Sequence, residues 1–312
     1  MKEQILNRLK KNYKHRAKWA RKNGFDAYRL YEKDLPDFPF LVDIYKDHVV
    51  VHFKGKKEID EAKGHDLLLF EAIVEVCQIP QGNIIYKERQ KQGDEFKYDK
   101  KDDKGLEFII NEGELKFIVN LTKYIDTGIF LDHRPLRQKL IQEAQGKKVL
   151  NLFSYTGSLS VACAKGATSV TSIDMSNTYL DWAEENFKLN GLSVETNHFY
   201  REDVFKFFEK NKEKNNETFD LIIMDPPTFS QSKRMEGTLD IQRDHIQLIK
   251  GCSQILNKGG KLYFSNNLRS FKLDEELFRH YSIKELTKWS IPEDFKDMKI
   301  HCLYEITKKQ TV

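Results

Sequence analysis

Apolar residues recur at every fourth position near the start of the chain. Ile5, Leu9, Tyr13 and Ala17 form one stripe with Lys and Arg around the rest, which predicts a helix over residues 2–23 that stops at Asn23-Gly24. From about residue 36 the period shortens to two. "FLVDIYKDHVVVHF" alternates about Lys46-Asp47 as a hairpin, "DLLLFEAIVEVCQI" reads as a helix and "NIIYKERQ" as a strand. "LEFIINEGELKFIVNL" is a second hairpin turning at Glu112-Gly113. Two hairpins bracketing a helix make a small α+β domain to about residue 128. "QKQGDEFKYDKKDDKG" is too charged to bury and is expected to be a mobile loop.

From about residue 129, apolar runs of strand length alternate with helical patterns. Strand "KVLNLF", helix "GSLSVACAKG", strand "SVTSID" and helix "NTYLDWAEENFKLNG" are followed by a weak strand near His198 and helix "DVFKFFEKN". Strand "FDLIIMD", helix "DIQRDHIQLIKGCSQIL" and strand "KLYFSNN" follow, and "SIKELTKWSIP" and "IHCLYEITK" read as a closing antiparallel pair. Such alternation predicts an α/β domain built on a doubly wound parallel sheet. The expected organisation is a basic helical arm (1–35), a small α+β domain (36–128) that binds RNA or positions substrate, and the doubly wound domain (129–312).

Composition changes this picture in one respect. The 312 residues are 39% apolar, enough for a real core, and 32% charged, with a net charge of +4. Residues 1–22 hold nine Lys or Arg against Glu3, a segment charge of +8, which leaves −4 for the remainder. Positive charge this dense attracts phosphate, so the first helix reads as a nucleic-acid arm. No apolar run is long enough to span a membrane, and the N-terminus lacks the apolar stretch of a secretory signal. Cys77, Cys163, Cys252 and Cys302 are scattered without paired metal spacing, so they read as reduced thiols in a cytoplasmic protein that needs no metal.

Ligands of a doubly wound sheet bind at the carboxyl ends of its strands, near the switch point. The first such end, "NLFSYTGS", has one glycine, Gly157, where a dinucleotide site would have three. A cofactor with a pyrophosphate is therefore disfavoured. Asp174 lies 17 residues after Gly157, about where an acid accepts from a ribose, and Asp203 at the next strand-to-helix junction is placed to accept from an adenine amino group. The fourth end is "DPPTF": Asp225 thrown out at the tip of a buried strand, two prolines that forbid its continuation, and an aromatic ring. An adenosine cofactor without pyrophosphate beside that turn points to S-adenosylmethionine. Phe229 then offers a flat face to a nucleobase.

Cofactor contacts are accordingly expected from Asn151, Phe153, Tyr155, Thr156 and Gly157, from Asp174 and Met175, from Asp203 and Val204, and from Asp225 and Pro226. On the substrate side stand Pro227 and Thr228 in the turn, and Lys233 and Arg234 after it as phosphate contacts. Asp132 and Arg134 of "FLDHR" and Arg243 of "DIQRDH" are expected to face the site, with His245 a weaker candidate.

The stretches "DTGIFLDHR", "NLFSYTGSLS", "DMSNTYLDWAEENFKLNG", "DPPTFSQSKRM", "DIQRDH" and "FSNN" resemble the guanine-N7 half of the bacterial bifunctional 23S rRNA guanine methyltransferases. The resemblance runs from the basic helix almost to the last residue. It implies a class I, Rossmann-like methyltransferase sheet of seven strands, S-adenosylmethionine as methyl donor, and 23S rRNA or a large-subunit assembly intermediate as partner. The guanine-N2 half of those enzymes has no counterpart in this chain. Sister enzymes that make 5-methylcytosine carry a cysteine in an "SCS" strand end, where this chain has Ser265-Asn266-Asn267.

The chemistry agrees. Cytosine C5 needs a thiolate added to the ring, whereas guanine N7 bears an exposed lone pair and no proton. Alignment can carry that reaction, with Asp225 following the positive charge onto the base, Phe229 stacking it and Asn266 donating to its O6. The rival expectations are a cytosine-C5 enzyme of the same superfamily and a non-catalytic RNA-binding protein that retains the methyltransferase core.

Overall fold

The computed structural model describes residues 1–55, 64–87, 104–214, 217–231 and 238–309. The chain divides into two compact units, Met1–Leu131 with Glu293–Lys296, and Asp132–Pro292 with Asp297–Val312. Most of the charged stretch expected to be a mobile loop lies outside the described residues, as do Lys233 and Arg234.

In the first unit, α1 (Lys2–Asn23) stops at Gly24, whose φ of 70° lets its N–H close back onto Ala20 and Arg21. Strands β1 (Ala27–Glu32), β2 (Phe40–Tyr45) and β3 (His48–Phe53), helix α2 (His65–Cys77) and strand β4 (Ile84–Lys87) follow. The four strands form one sheet in the order β1-β2-β3-β4. The first two pairings are antiparallel and β3–β4 is parallel. The second hairpin, β5 (Glu107–Glu112) and β6 (Leu115–Asn120), stands as its own two-stranded ribbon.

Residues 1–35 are not a separate arm. Ile5 and Leu9 are fully buried with Leu30, Tyr31, Val42, Val49, Leu69 and Ile73, and β1 is a strand of the sheet. The buried face of α1 is Ile5, Leu9, Asn12, Arg16 and Ala20 rather than the strict every-fourth stripe. Steps of four residues overshoot a turn by about 40° each, so Tyr13 and Ala17 rotate to the edge of the contact. Two polar residues take the inner positions because each finds a partner. Asn12 donates to the Leu30 carbonyl (3.0 Å) and Asp34 (2.7 Å), and Arg16 donates to the Arg29 carbonyl (2.9 Å).

Arg29 is itself buried. It binds Asp43 through Nε (2.8 Å) and Nη2 (3.0 Å), and Glu32 through Nη1 (2.9 Å). Burial opposes its charge, and the two carboxylates outweigh that and raise its pKa. The short return segment completes this cluster. Asp294 accepts the Arg29 N–H (2.8 Å), the Phe295 ring lies 4.2 Å from the guanidinium carbon, and the Lys296 ammonium meets Asp34 at 2.6 Å.

In the second unit a single turn of 3-10 helix (Leu131–His133) leads into α3 (Arg134–Glu143). After it come β7 (Lys148–Leu152), α4 (Ser158–Ala164), β8 (Ser169–Asp174), α5 (Asn177–Leu189), β9 (His198–Arg201) and α6 (Val204–Lys214). Next are β10 (Phe219–Met224), the small ribbon β11 (Phe229–Gln231) with β12 (Thr238–Asp240), α7 (Ile241–Gln254) and β13 (Leu256–Asn266). The unit closes with α8 (Leu277–His280), β14 (Tyr281–Glu285), α9 (Thr287–Ser290) and β15 (Cys302–Lys308). Seven strands form one sheet, β14-β15-β13-β10-β7-β8-β9. From β13 to β9 all neighbours are parallel, and β15 runs antiparallel to both its neighbours. The apolar run Leu221–Met224 is buried on both faces, as a central parallel strand requires. The chain winds outward from β7 to β9 and then resumes on the other side at β10. The switch point therefore lies between β7 and β10, and the carboxyl ends of five parallel strands share one edge.

Candidate functional site

The edge begins with the loop after β7. Phe153 (φ 58°), Tyr155 (φ 51°) and Gly157 (φ 72°) all adopt left-handed conformations, so the backbone zigzags tightly into α4. A Cβ at Gly157 would lie 2.7 Å from the Ala183 Cβ on α5. Glycine is required here by helix packing as well as by its φ. The loop is fastened at three points. Ser154 N donates to the Ile173 carbonyl (2.9 Å), Tyr155 N to Asp174 Oδ2 (2.9 Å), and Asn186 Nδ2 to the Thr156 carbonyl (2.9 Å).

Asp174 also accepts from Ser176 N (2.9 Å), while Ser176 rather than Asp174 caps α5. With Met175 N as a third backbone partner, most of its roughly four acceptor positions are taken. Burial pushes its pKa up, against the pull of these N–H bonds. Met175 follows, half-buried, its carbonyl accepting from Arg201 Nε at 3.1 Å.

Two expected cofactor contacts point elsewhere. The side chain of Asn151 faces α4, donating to Ser160 Oγ (2.8 Å), which pairs in turn with Ser172 Oγ (2.8 Å). Strand alternation puts Leu150 and Leu152 on one face and Asn151 on the other, so this amide ties the sheet to a helix. Val204 is packed in the apolar core. Asp203 caps α6, accepting from Phe205 N (3.0 Å) and Lys206 N (3.2 Å), both through Oδ1. It also lines a cleft of ≈ 430 Å³ with Phe205, Thr238 and Arg243. Arg243 is held there by Asp244 (2.7 Å from Nε) and the Thr238 carbonyl.

Asp225 stands at the tip of β10, with Pro226 buried and Pro227 exposed behind it. Ser265 Oγ on β13 donates to its Oδ1, and His133 Nε2 lies 3.6 Å from its Oδ2. Behind His133 the Asp132 carboxylate takes a 2.7 Å hydrogen bond from His301 Nδ1, whose other nitrogen meets Ser290 Oγ at 2.8 Å. The two imidazoles are 4.8 Å apart. Burial raises the pKa of Asp132, but His133 and the His301 hydrogen bond outweigh it and hold the carboxyl below its usual range. Burial pushes His133 down, against the pull of Asp225 and Asp132. Asp132, His133 and His301 offer three ligand atoms within 4.8 Å of one another, a donor set suited to a divalent cation. The Asp132–His301 side is already closed by its hydrogen bond.

Asp132 therefore serves this buried cluster. Arg134 is likewise buried, at 2% exposure. Ser265 and His301 carry no local sequence signal: His301 meets its partner across 169 positions.

Beyond the prolines, Phe229 is 56% exposed, held on the β11–β12 ribbon opposite Asp240. The expected partner Asn266 is not beside it. Asn266 is 1% exposed, donating to Cys302 Sγ (3.1 Å) and accepting from Leu268 N (3.1 Å). The next residue, Asn267, is exposed and accepts from Thr228 Oγ1 at 2.6 Å. Ser265 and Asn267 thus meet the Asp-Pro-Pro-Thr turn, and Asn266 turns away from it. His245 is structural, binding the Gln242 carbonyl (2.9 Å) and Asp274 N (3.1 Å). Burial pushes the thiols of all four cysteines up, Cys302 to about 12. None is poised as a thiolate nucleophile.

The family profile of S-adenosylmethionine-dependent methyltransferases matches residues 83–300. Over 309 residues the chain is 46% identical to the ribosomal RNA large subunit methyltransferase K of Neisseria meningitidis serogroup B, covering 98% of this chain and 87% of that protein. It is 43% identical over 313 residues to the ribosomal RNA large subunit methyltransferase K/L of Pseudomonas fluorescens, covering 98% of this chain but 41% of the relative. The chain thus spans less than half of the K/L protein. In structure it matches a methyltransferase crystallised with S-adenosylhomocysteine, at a TM-score of 0.79 over 99% of this chain and 82% of the other. The identity there is 24%, so that likeness concerns the fold.

Proposed function

The chain belongs to the S-adenosylmethionine-dependent methyltransferases, and from that premise we propose that it methylates guanine N7 in the RNA of the large ribosomal subunit. The observation that carries the base-directed reading is Phe229, a large ring more than half exposed two residues after Asp225-Pro226-Pro227. An exposed ring at that turn suits a base turned out of its stack. The identity with proteins named as ribosomal RNA methyltransferases supports RNA as the source of that base. N7 is favoured over cytosine C5 because that ring needs a thiolate, and burial disfavours the thiolate form of all four cysteines here.

The crevice suits its cofactor. Asp174, half-buried at the tip of β8, can accept from ribose hydroxyls beside its backbone bonds, and the loop Phe153–Gly157 turns tightly at the same edge. When bound, the cofactor supplies a methyl group on a positively charged sulfur. The remaining work belongs to the protein. Phe229 fixes the plane of the base, and Ser265 and His133 hold the Asp225 carboxylate at the strand tip as a counter-charge for the methylated ring. N7 has no proton to lose, so no general base is required. Orientation alone supplies up to roughly 7–11 kcal/mol in such reactions. The reading places the enzyme in the bacterial cytoplasm, acting on 23S rRNA or an assembly intermediate.

The test is incubation with S-adenosylmethionine and 23S rRNA fragments, followed by nucleoside mass spectrometry. 7-Methylguanosine is the expected product. 5-Methylcytosine in its place would overturn the N7 assignment. Tight S-adenosylhomocysteine binding without any methylated nucleoside would remove RNA as the substrate.

A further inference from the structure

Helix α1 presents three faces. One is buried in the first unit. The second, Tyr13, Ala17 and Arg21, borders a groove of ≈ 480 Å³ whose opposite wall includes Phe25, Tyr28 and Lys46. The third is Lys11, Lys14, Lys18 and Lys22, spaced three, four and four residues apart and all exposed. They follow one another up the helix as a single basic ridge beside the groove. Lys2 and Lys10 are excluded from that ridge, since each is paired with a carboxylate of α2, Glu71 at 2.7 Å and Glu75 at 3.1 Å.

We propose that this groove seats one unpaired nucleobase of an RNA strand, while the adjoining phosphates lie along the lysine ridge of α1. The inference rests on RNA being the substrate, and it assigns a second contact remote in sequence from the methyl-transfer turn. Groove and ridge differ in the way the two halves of a nucleotide differ. The groove sets the aromatic side chains Tyr13, Phe25 and Tyr28 among the charged residues Arg21, Asp26, Lys46 and Asp47, with a volume in the range of ligand clefts. Its two acids, Asp26 (3.7 Å from the Lys46 ammonium) and Asp47, offset its two cations, Arg21 and Lys46, so the lining has no net charge with which to hold a bare phosphate, unlike the ridge. Burial raises the pKa of both tyrosines, so their hydroxyls meet the ligand uncharged. The ridge carries four cations in about three helical turns and no side chain on which a base could stack. Unpaired bases stacked on aromatic rings, with phosphates on neighbouring cations, are how proteins read single-stranded RNA.

The experiment uses the full chain and a fluorescent single-stranded RNA of mixed sequence, with anisotropy read across a salt series. Ala17→Phe plugs the groove and leaves every charge in place. Tyr13→Ala removes a ring without plugging it. Both are expected to weaken RNA about tenfold with the salt slope unchanged. Lys14→Gln combined with Lys18→Gln is expected to flatten the slope of log K against log salt by roughly 0.7 for each lysine. An oligonucleotide with abasic positions should lose affinity for the wild type and lose no more for Ala17→Phe. Wild-type affinity in both groove variants, with melting temperature and S-adenosylhomocysteine binding intact, would overturn the inference even if 7-methylguanosine is made. Conversely, binding that depends on the groove while rRNA yields no methylated nucleoside would leave the inference standing and remove the proposed function.

Discussion

Asp174 combines two jobs in one side chain: it fastens the loop after β7 through Tyr155 N and presents acceptor positions to the crevice. Asp174→Asn removes the charge, and its single amide oxygen can accept from only one of Tyr155 N and Ser176 N, which the two carboxylate oxygens now bind separately. Titration should show S-adenosylhomocysteine binding weakened by about 1.5–3 kcal/mol, the scale of a charge-assisted hydrogen bond, with the melting temperature lowered by the lost backbone bond. Unchanged affinity would leave Asp174 a scaffold residue only. The two asparagines at the end of β13 make the opposite contrast. Asn266→Ala removes buried bonds to Cys302 and Leu268 and should cost about 1–3 kcal/mol of stability. Asn267→Ala should leave thermal unfolding alone and depress methylation, because that amide stands exposed beside Thr228. From sequence the pair was ambiguous. Two identical residues in a strand face opposite sides, and only the register of β13 against β15, with Asn266 opposite Cys302, decides which one turns inward.

At the level of elements, the strands of the seven-stranded sheet and helices α4 to α7 were legible as apolar runs alternating with helical patterns, whereas α3, the β11–β12 ribbon, α8 and α9 were not read from the sequence. The tip of β10 was legible for the same reason, since Asp-Pro-Pro ends a strand wherever it occurs. What escaped were contacts that no local pattern encodes. Asn12 and Arg16 look solvent-facing until their partners on β1 and at Asp34 are known. Gly157 shows how far an element depends on its neighbour. Sequence reading assigns that glycine to a ligand, while the structure shows α5 pressed against it. Gly157→Ala should therefore cost stability through both its left-handed φ, about 1–2 kcal/mol, and the contact with Ala183. Calorimetry is expected to show a lowered melting temperature even without cofactor. A variant that lost cofactor affinity alone would point back to the ligand.

Over the whole molecule, charge is distributed unevenly, and buried histidines, His52 among them, make stability depend on pH. Burial pushes His52 on β3 down to about 4, against the attraction of Asp43. A folded-state pKa below the unfolded value of about 6.5 means the unfolded chain binds a proton first as pH falls. The stabilisation is complete above about pH 6.5, drains away as pH falls toward 4, and amounts to roughly 3 kcal/mol at most. Urea unfolding at pH 7 and pH 5 should show a loss in the wild type that is smaller in His52→Gln, where His133, also pushed down by burial, remains. Equal losses in both proteins would assign the dependence to other groups.

The return of Glu293–Lys296 to the first unit has a consequence for biosynthesis. Arg29 is translated early, yet Asp294, which takes its backbone N–H, lies 265 positions later. Residue 131 closes the first stretch of that unit and residue 296 completes its return segment. At the usual 5–20 residues per second, the interval is roughly 8–33 s. For that time the nascent unit holds the arginine cluster without Asp294 or the ring of Phe295 beneath it. Its compact form is completed only once nearly the whole of the other unit has been made, so the first unit in the sequence waits until shortly before β15 closes the second. Ribosome-bound chains stalled before residue 293 should be cleaved by protease in the first unit more readily than chains stalled well beyond residue 296.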